Sequence, residues 1–276
     1  MKIVKCILFI TLVFISMANL FSQTILVSGD INSNTTWGAD TIKITGDINV
    51  LPGIVLAVEP GTYIESQGYY RINVAGSIKA IGTLADTIVF TINDTTNFWQ
   101  DEYSRSGSWA GFTFTDSTSL ADTSIFEYCK LQYGKKYDIA NDDIKGGVIK
   151  AIQYGTLIIR NSYLLCNMAI NHEYPSANGP TALGGAVYCK NVNSIIIDNN
   201  RFERNRSFDQ GGGVYIGDGC QSDISNNTFI GNIAWNNKII SGVLASWGSG
   251  AAIETYDTDG PSPKISGNYC FKISLL

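Results

Sequence analysis

Histidine, proline and charge are all scarce in this sequence. It holds one histidine, His172, and six prolines among 276 residues, and its six cysteines form no C-x-x-C pair. Zinc sites require several closely spaced His and Cys ligands, and a nucleophilic triad requires a histidine base beside its nucleophile. Both kinds of site therefore lack their usual residues, and we interpret His172 as a surface residue of a polar loop.

Basic clusters are missing too. Charged residues make up 16% of the chain, and the net charge of −5 is spread without a block of either sign. This pattern predicts no nucleic-acid partner and no binding to an anionic membrane surface, because both need clustered Lys or Arg. What is abundant instead is Gly, with 28 residues, together with Asn, Ser, Thr and β-branched residues. That composition is typical of a β protein with many turns.

The longest apolar run stands at the N-terminus. Lys2 and Lys5 precede an apolar stretch over 6–21, and the polar residues Ser22 and Gln23 follow it. A basic start, an apolar centre and a small residue at the exit are the layout of a cleavable secretory signal.

A retained membrane anchor is the alternative interpretation of this run. The stretch is short for a span of about 20 residues, and Ser16 and Asn19 interrupt it. We therefore predict a signal peptide over 1–23, no transmembrane segment after its removal, and a mature domain over 24–276. Such a protein is secreted, extracellular or displayed at the cell surface.

The mature chain contains an internal repeat. Five six-residue segments begin and end with an apolar residue: 126–131, 158–163, 197–202, 224–229 and 265–270. A glycine-rich motif precedes this frame at 146–148, 184–187, 211–214 and 248–251, and Phe-x-x-Asn follows it at 202–205 and 229–232. Successive frames start 32, 39, 27 and 41 residues apart, and an Ile-Asn-Val motif recurs after 24 residues. Such a period, with insertions between the motifs, is typical of a solenoid.

Strand periodicity indicates which solenoid this is. Apolar residues alternate over short runs such as Ile42/Ile44, and no sustained helical stripe follows the signal. A rung of this length holds three short strands, each paired with its counterparts about 4.8 Å away in the next rungs. We predict an all-β single domain, a right-handed parallel β-helix with three-strand rungs. A β-sandwich with Gly-Gly hairpin turns is the alternative, and the constant order of the motifs over four rungs argues against it.

Identical positions stack in such a coil. We expect two interior columns, one of Phe126, Ile158, Ile197, Ile224 and Ile265, and one of Leu131, Tyr163, Phe202, Phe229 and Cys270. Between them we expect a ladder at the turn, formed by Cys129, Asn161, Asn200, Asn227 and Asn268. Its amides would satisfy backbone groups in the turn. The five cysteines after the signal cannot all pair within one chain, and we interpret Cys129 and Cys270 as packing residues rather than disulfide partners.

These motifs resemble the right-handed β-helix repeat proteins of the pectin-lyase-like superfamily. Gly-Gly-Ala-Val at 184–187 and the Phe-x-x-Asn motifs are similar to repeats of chlamydial polymorphic outer-membrane proteins. The N-terminal half resembles secreted Bacteroidetes β-helix proteins, through Trp37 and the segments 46–53, 58–62, 74–76, 88–91 and 107–112. The resemblance implies the fold and export, and it implies no particular chemistry, because this scaffold carries unrelated activities.

Relatives of the Bacteroidetes type end in a C-terminal sorting domain, which has no counterpart in this sequence. The resemblance therefore implies a domain truncated at its C-terminal end, with an uncapped last rung. Because unpaired strand edges favour association, we expect self-association through this rung.

Carboxylates do not cluster in the repeat frames. Carbohydrate lyases and hydrolases on this scaffold use clustered carboxylates, often with calcium. Asp198 and Asp223 lie near the register of one strand, but the adjoining rungs offer no further carboxylate pair. Four arginines form either a basic wall or the ordinary polar face of a sheet: Arg160, Arg201, Arg204 and Arg206. We predict no catalytic and no cofactor-binding residue.

One weak metal candidate remains. Asp-Thr-Asp-Gly at 257–260 resembles the opening of a calcium loop, which makes Asp257 and Asp259 the candidate ligands. The further acidic ligands and the distal Glu of that loop are missing. We interpret the segment, like the acidic stretch 138–143, as a solvated turn, and keep calcium as the sole cofactor candidate.

Aromatic residues in predicted loops indicate a binding surface. They are Tyr69, Tyr70, Trp99, Tyr103, Tyr133, Tyr137, Tyr154 and Trp235. Flat rings stack on sugars or pack against another protein, and a solenoid offers a long regular face. We predict an adhesin-like, secreted or cell-surface repeat protein that binds a polysaccharide or a cell-surface partner. The alternative is a polysaccharide lyase or glycoside hydrolase acting on an acidic polysaccharide.

Overall fold

The computed structural model describes residues 23–115, 122–137, 144–170, 182–235, 250–256 and 262–271, and the backbone of 237–240 and 243–246. These residues form strands, turns and loops. None of them belongs to a helix, so the described part offers no helix that would span a bilayer. Residues 1–22 of the predicted signal peptide, together with His172, Asp257 and Asp259, lie outside the described residues.

The described residues form 27 strands. In chain order they are β1 Thr24–Ile31, β2 Thr35–Trp37, β3 Thr41–Val50, β4 Val55–Val58, β5 Tyr63–Ser66, β6 Ile72–Val74, β7 Ser77–Ile81, β8 Ile88–Ile92, β9 Phe112–Thr115, β10 Thr123–Glu127, β11 Cys129–Gln132, β12 Lys135–Lys136, β13 Ile149–Arg160, β14 Tyr163–Leu165, β15 Met168–Ala169, β16 Val187–Asp198, β17 Arg201–Glu203, β18 Arg206–Ser207, β19 Val214–Ile216, β20 Ser222–Ser225, β21 Thr228–Ile230, β22 Ile233–Ala234, β23 Asn237–Ile240, β24 Val243–Ser246, β25 Ile253–Thr255, β26 Lys264–Ser266 and β27 Tyr269–Phe271. The prediction of an all-β chain is confirmed.

Parallel pairing joins 21 of these strands into one sheet. Each strand pairs with strands one repeat earlier and one repeat later, which arranges the sheet as three stacks. The first stack contains β5, β8, β11, β14, β17, β21 and β27, the second β6, β9, β19 and β25, and the third β2, β4, β7, β10, β20 and β26. The long strands β1, β3, β13 and β16 bend and serve two stacks each. This large parallel sheet is compatible with a β-helix or another solenoid.

Along each strand of a stack, every second side chain points into the interior. The first stack buries Ile42, Ile64, Phe90, Leu131, Leu164, Phe202 and Phe229, and the third buries Trp37, Val58, Ala80, Phe126, Ile159, Ile197 and Ile224. The rings of Phe202 and Phe229 stack with their centroids 4.7 Å apart. These columns of like side chains form the main core, which is where the period-two pattern predicts it.

The predicted register is wrong by one residue in one repeat. Ile159, not Ile158, pairs with Phe126 and Ile197 and is buried. Ile158 lies opposite Ile196 on the outer face. Two adjacent isoleucines satisfy the apolar pattern equally well, so sequence alone does not distinguish them.

The same slip moves two further positions of that repeat. Leu164, not Tyr163, occupies the interior column, and Ser162, not Asn161, occupies the ladder. Asn161 instead takes the left-handed turn conformation with a φ of 52°, like Asn199 and Asn226. Asn tolerates this conformation better than most residues. This explains why Asn stands at the same turn position in the following repeats, as Asn199 and Asn226.

A buried ladder of side chains satisfies the backbone at this corner. The N–H of Ser162 donates to Asn200 Oδ1, that of Asn200 to Asn227 Oδ1, and that of Asn227 to Asn268 Oδ1, each at 2.9 Å. The amide of Asn227 also donates to the carbonyl of Ile197 at 2.8 Å. Cys129 begins the ladder, since its N–H donates to Ser162 Oγ at 3.0 Å. The predicted ladder is therefore present with this one substitution.

The Phe-x-x-Asn motif builds a second ladder at the next corner. Asn167 and Asn205 receive and donate hydrogen bonds of 2.9–3.1 Å with the backbone and amides of adjoining repeats, and Asn232 accepts from Asn205. A small parallel sheet of β12, β15, β18 and β22 follows it. The glycine-rich motifs then return the chain to the second stack. A Cβ at Gly185 would overlap the carbonyl oxygen of Gly212, so this close approach requires glycine.

The described cysteines are all free. Cys129 and three others are buried, and burial raises the pKa of the Cys129 thiol. The interpretation of Cys129 as a packing residue is confirmed. Cys270 and Ile265 keep their predicted register with Phe229 and Ile224 but are exposed, because they lie in β27 and β26, the last described strands of their stacks.

Candidate functional site

The two carboxylates examined for catalysis do not face each other. Asp223 lies opposite Ile196, and Asp198 lies opposite Ser225. Asp198 accepts hydrogen bonds from Ser225 Oγ at 3.0 Å and from Asn226 Nδ2 at 2.8 Å. Lys264 Nζ lies 2.8 Å from Asp223, and this hydrogen bond holds the pKa of the Asp223 carboxyl below its usual range. Each carboxylate is thus bound within its own part of the sheet.

Carboxylates also neutralise the four arginines of the supposed basic wall. Arg160 pairs with Glu127 at 2.8 Å, and Arg201 pairs with Glu203 at 2.6 Å. Arg204 lies 3.9 Å from Glu203, and Arg206 pairs with Glu102. The four arginines therefore form ion pairs in different parts of the coil rather than one row of uncompensated cations.

Glu203 is the most strongly held of these carboxylates. Tyr163 donates its hydroxyl to Glu203 Oε2 at 2.6 Å. This hydrogen bond, together with the nearby guanidinium of Arg201, keeps the pKa of Glu203 low. Burial and the same carboxylate raise the pKa of Tyr163 to about 12. In the described part of the chain, no three His, Cys, Asp or Glu side chains gather closely enough to hold a metal ion.

Of the predicted surface aromatics, the structure places three in the neighbourhood of Arg206 and buries one. Tyr154 is fully buried and donates its hydroxyl to the carbonyl of Gly76 at 2.7 Å, so its interpretation as a loop residue was wrong. Trp99, Tyr103 and Trp235 keep 41–43% of their surface exposed. Trp235 packs on the buried Arg206, Trp99 lines the same cavity as Arg206, and Tyr103 reaches it through Phe208. The fold thus brings close together aromatic residues that are far apart in the sequence.

Arg206 is the centre of this group. Its guanidinium carbon lies 4.7 Å from the ring centre of Trp235 and 5.1 Å from that of Phe208. Tyr103 packs edge-on against the same Phe208 at 5.7 Å. An arginine stacked on an aromatic face is held by the attraction between its positive charge and the quadrupole of the ring, and by packing of the flat guanidinium on the ring. An ion pair between Arg206 Nη1 and Glu102 Oε1 further fixes the position of the guanidinium.

A cavity of about 940 Å³ opens beside Arg206. Apolar and aromatic side chains dominate its lining, among them Trp99, Phe229, Ile233 and Phe271, while Asn205, Asn232 and Arg206 supply polar groups. We call this cavity the aromatic cleft, and we include in the name Trp235, which contacts Arg206 directly, and Tyr103, which contacts it through Phe208. A largely apolar concavity with a few fixed polar groups is the usual form of a ligand site.

One wall of the aromatic cleft comes from an insertion between β8 and β9. This segment, residues 94–108, contains Trp99, Glu102 and Tyr103, and we call it the strap. Phe98 of the strap is buried in a small separate core with Met168 and Ile170, and it contacts Tyr133 edge-on at 5.3 Å. The strap thus lies over the small sheet of β12, β15, β18 and β22.

Two basic residues of that small sheet hold the strap. Lys135, Met168, Arg206 and Ile233 occupy equivalent positions in its four strands. Arg206 pairs with Glu102 of the strap, and Lys135 Nζ donates to strap carbonyl groups. Sequence reasoning missed Lys135, because a lysine in a short polar strand reads as a surface residue. The second ladder makes Gly134 equivalent to Asn205, and so Lys135 equivalent to Arg206, which is also buried. Only this equivalence between repeats could have indicated that Lys135 is buried.

Comparison with known proteins adds little. No protein-family model and no solved structure matches this chain. A segment of 67 residues is 33% identical to Protein bark beetle of Drosophila melanogaster. The match covers 24% of this chain and spans 2% of that protein's length.

Proposed function

We propose that this chain is a right-handed parallel β-helix of the pectin-lyase-like type, exported and displayed at the cell surface or secreted. Parallel pairing one repeat apart and two Asn ladders support the coil. Parallel crossover connections are almost always right-handed, which supports the hand. The basic start and apolar run over 1–21 support export.

We further propose that the protein binds glycans through the aromatic cleft. The gathering of Trp99, Tyr103 and Trp235 around Arg206 carries this proposal. The C–H faces of a sugar ring pack on indole rings, while the half-buried amide of Asn232 can donate a hydrogen bond to a hydroxyl group. Binding of a protein partner and turnover of a polysaccharide are the competing outcomes of the test.

The test is retention of the purified chain on an array of neutral and acidic glycans. We expect one glycan class to be retained, and Trp99→Ala or Trp235→Ala to weaken retention about tenfold, which corresponds to a loss of about 1.4 kcal/mol in binding free energy. Tyr63→Ala is the matched control, because Tyr63 is exposed on the first stack, outside the cleft. It should leave retention unchanged.

Two results would overturn glycan binding at this cleft. One is retention that survives both Trp substitutions, and the other is no retention at all. Release of reducing or unsaturated ends from pectin or alginate, abolished by Asp198→Ala or Asp223→Ala, would establish the enzymatic alternative instead.

A further inference from the structure

Lys135 is a lysine buried where a lysine is costly. Its side chain is fully enclosed in β12. The Nζ atom donates to the carbonyl oxygens of Phe98 at 3.1 Å, Asp101 at 3.2 Å and Ser106 at 3.3 Å. It also lies 4.8 Å from the ring centre of Phe98. An ammonium has three donors, and all three acceptors belong to the strap.

The strap contributes no residue to the strands, so it lacks the ladder bonds that position the rest of the coil. Carbonyl groups eight residues apart in the chain converge on one ammonium, which determines how the strap folds back on itself. The strap is also attached to the small sheet by the ion pair between Glu102 and Arg206. Held by Lys135 and Arg206, the strap presents Trp99 to the aromatic cleft.

We propose that Lys135 is the positioning residue of the aromatic cleft, a buried amino group around which the strap folds and which places Trp99 in the cleft wall and Glu102 beside Arg206. The role of the cleft in binding rests on the proposed function. The role of Lys135 in placing the strap does not depend on that function, and it is tested without a ligand.

The electrostatics of Lys135 give this arrangement a pH dependence of definite sign. Burial lowers the pKa of Lys135 to about 8, and the nearby carboxylates of Asp101 and Glu102 oppose that shift only in part. The other ionisable groups around it are Tyr69, whose hydroxyl donates to the Lys135 carbonyl, and Tyr133, which contacts Phe98.

Opening the strap would expose Lys135 to water and return its pKa to the ordinary lysine value of 10.5. Opening therefore takes up a proton between about pH 8 and 10.5, and raising the pH through that window favours the closed strap. The opening equilibrium should fall by up to about tenfold per pH unit there. A neutral amine still has two N–H donors for the strap carbonyls.

Trypsin provides the readout, because Arg105 is the strap's sole Lys or Arg. We expect Lys135→Met to increase the rate of cleavage after Arg105 at least tenfold at pH 7.5, while the thermal melting of the coil stays within a few degrees. Lys136→Met is the matched control. Lys136 is equally buried in the same strand, but its Nζ donates to Thr113 Oγ1 at 2.9 Å in β9 rather than to the strap.

The second measurement uses the unaltered chain, so it stands even if Lys135→Met fails to fold. Cleavage at Arg105, normalised to a small peptide substrate of trypsin, should fall between pH 7.5 and 9.5. A folded Lys135→Met variant cleaved at the original rate would overturn the proposal. So would a normalised rate that is flat or rising with pH, or an equal acceleration in Lys136→Met. Loss of glycan retention alone would bear on the proposed function and leave this inference standing.

Discussion

The two halves of the sheet use the same strand pairing but build their corners differently. In the N-terminal half, partners in the first stack are 22 and 26 residues apart, as from Ile42 to Ile64 and from Ile64 to Phe90. In the C-terminal half, partners in the third stack are 27 to 41 residues apart. In the longest of these intervals, from Ile224 to Ile265, part of the extra length forms the antiparallel pair of β23 and β24.

Corners in the N-terminal half are local and exposed. Pro-Gly pairs at 52–53 and 60–61 turn the chain with positive φ at Gly53 and Gly61. The Asn34 side chain accepts a hydrogen bond from Val55 N–H at 2.9 Å, but it does so at the surface. Such a turn depends mainly on its own residues.

Corners in the C-terminal half depend on neighbouring repeats. Each ladder Asn satisfies backbone groups of the preceding repeat, as Asn200 does with the Ser162 N–H and the Ile159 carbonyl. Its amide also donates to the ladder Asn of the next repeat, here Asn227. Backbone buried in this way needs no compact turn of its own. The corners can therefore carry insertions, and the aromatic cleft lies beside the second ladder, between the strap and the small sheet.

The largest expected effect tests the core that both halves share. Ile159→Asp places an unpaired carboxylate inside the third stack, so we expect a loss of more than about 3 kcal/mol in the free energy of unfolding. Its neighbour Ile158 points outward, and Ile158→Asp should cost within about 1 kcal/mol. Urea unfolding of the two variants checks this pair. Equal losses would contradict the register found here.

The next effect separates the two kinds of corner. Asn227→Ala removes a fully buried amide and leaves the N–H of Asn200 and the carbonyl of Ile197 unpaired, so we expect a loss of about 2–4 kcal/mol. Asn34→Ala in the N-terminal half should cost less than about 1 kcal/mol, because water can replace the exposed amide. Asn226→Gly serves as the local control and should be nearly neutral, since Asn226 is exposed with a φ of 58°. Similar costs at Asn227 and Asn34 would remove the distinction.

The smallest effect tests the Pro-Gly corners. Gly53 has a φ of +73° and no atom within 4 Å of an added Cβ, so Gly53→Ala meets backbone strain without a clash. We expect a cost of about 1–2 kcal/mol in thermal or urea unfolding. Gly53→Asn should recover most of that loss, because Asn tolerates the left-handed region. A cost for Asn as large as for Ala would show that the corner depends on more than its backbone conformation.

Much of this arrangement could be read from residues close together in the chain. The period-two alternation predicts the strands, and recurring Asn and Phe-x-x-Asn predict stacked corners, because a parallel coil aligns like residues in successive repeats. Register was secure where one apolar residue stood alone, as at Ile224, and failed at Ile158-Ile159, where two compete. A one-residue slip reverses the faces of a strand, and only pairing with Phe126 and Ile197 resolves it.

The aromatic cleft could not be read in this way. Trp99 and Arg206 are more than 100 residues apart, and Glu102 joins them only because an insertion at one corner folds across three later repeats. The burial of Lys135 and Tyr154 likewise depends on what the strap and the sheet enclose. Local pattern alone determined the all-β character and the repeat, since both follow from interactions between equivalent positions. The tertiary structure alone decided which polar and aromatic side chains meet, because insertions have no repeat to predict where they pack.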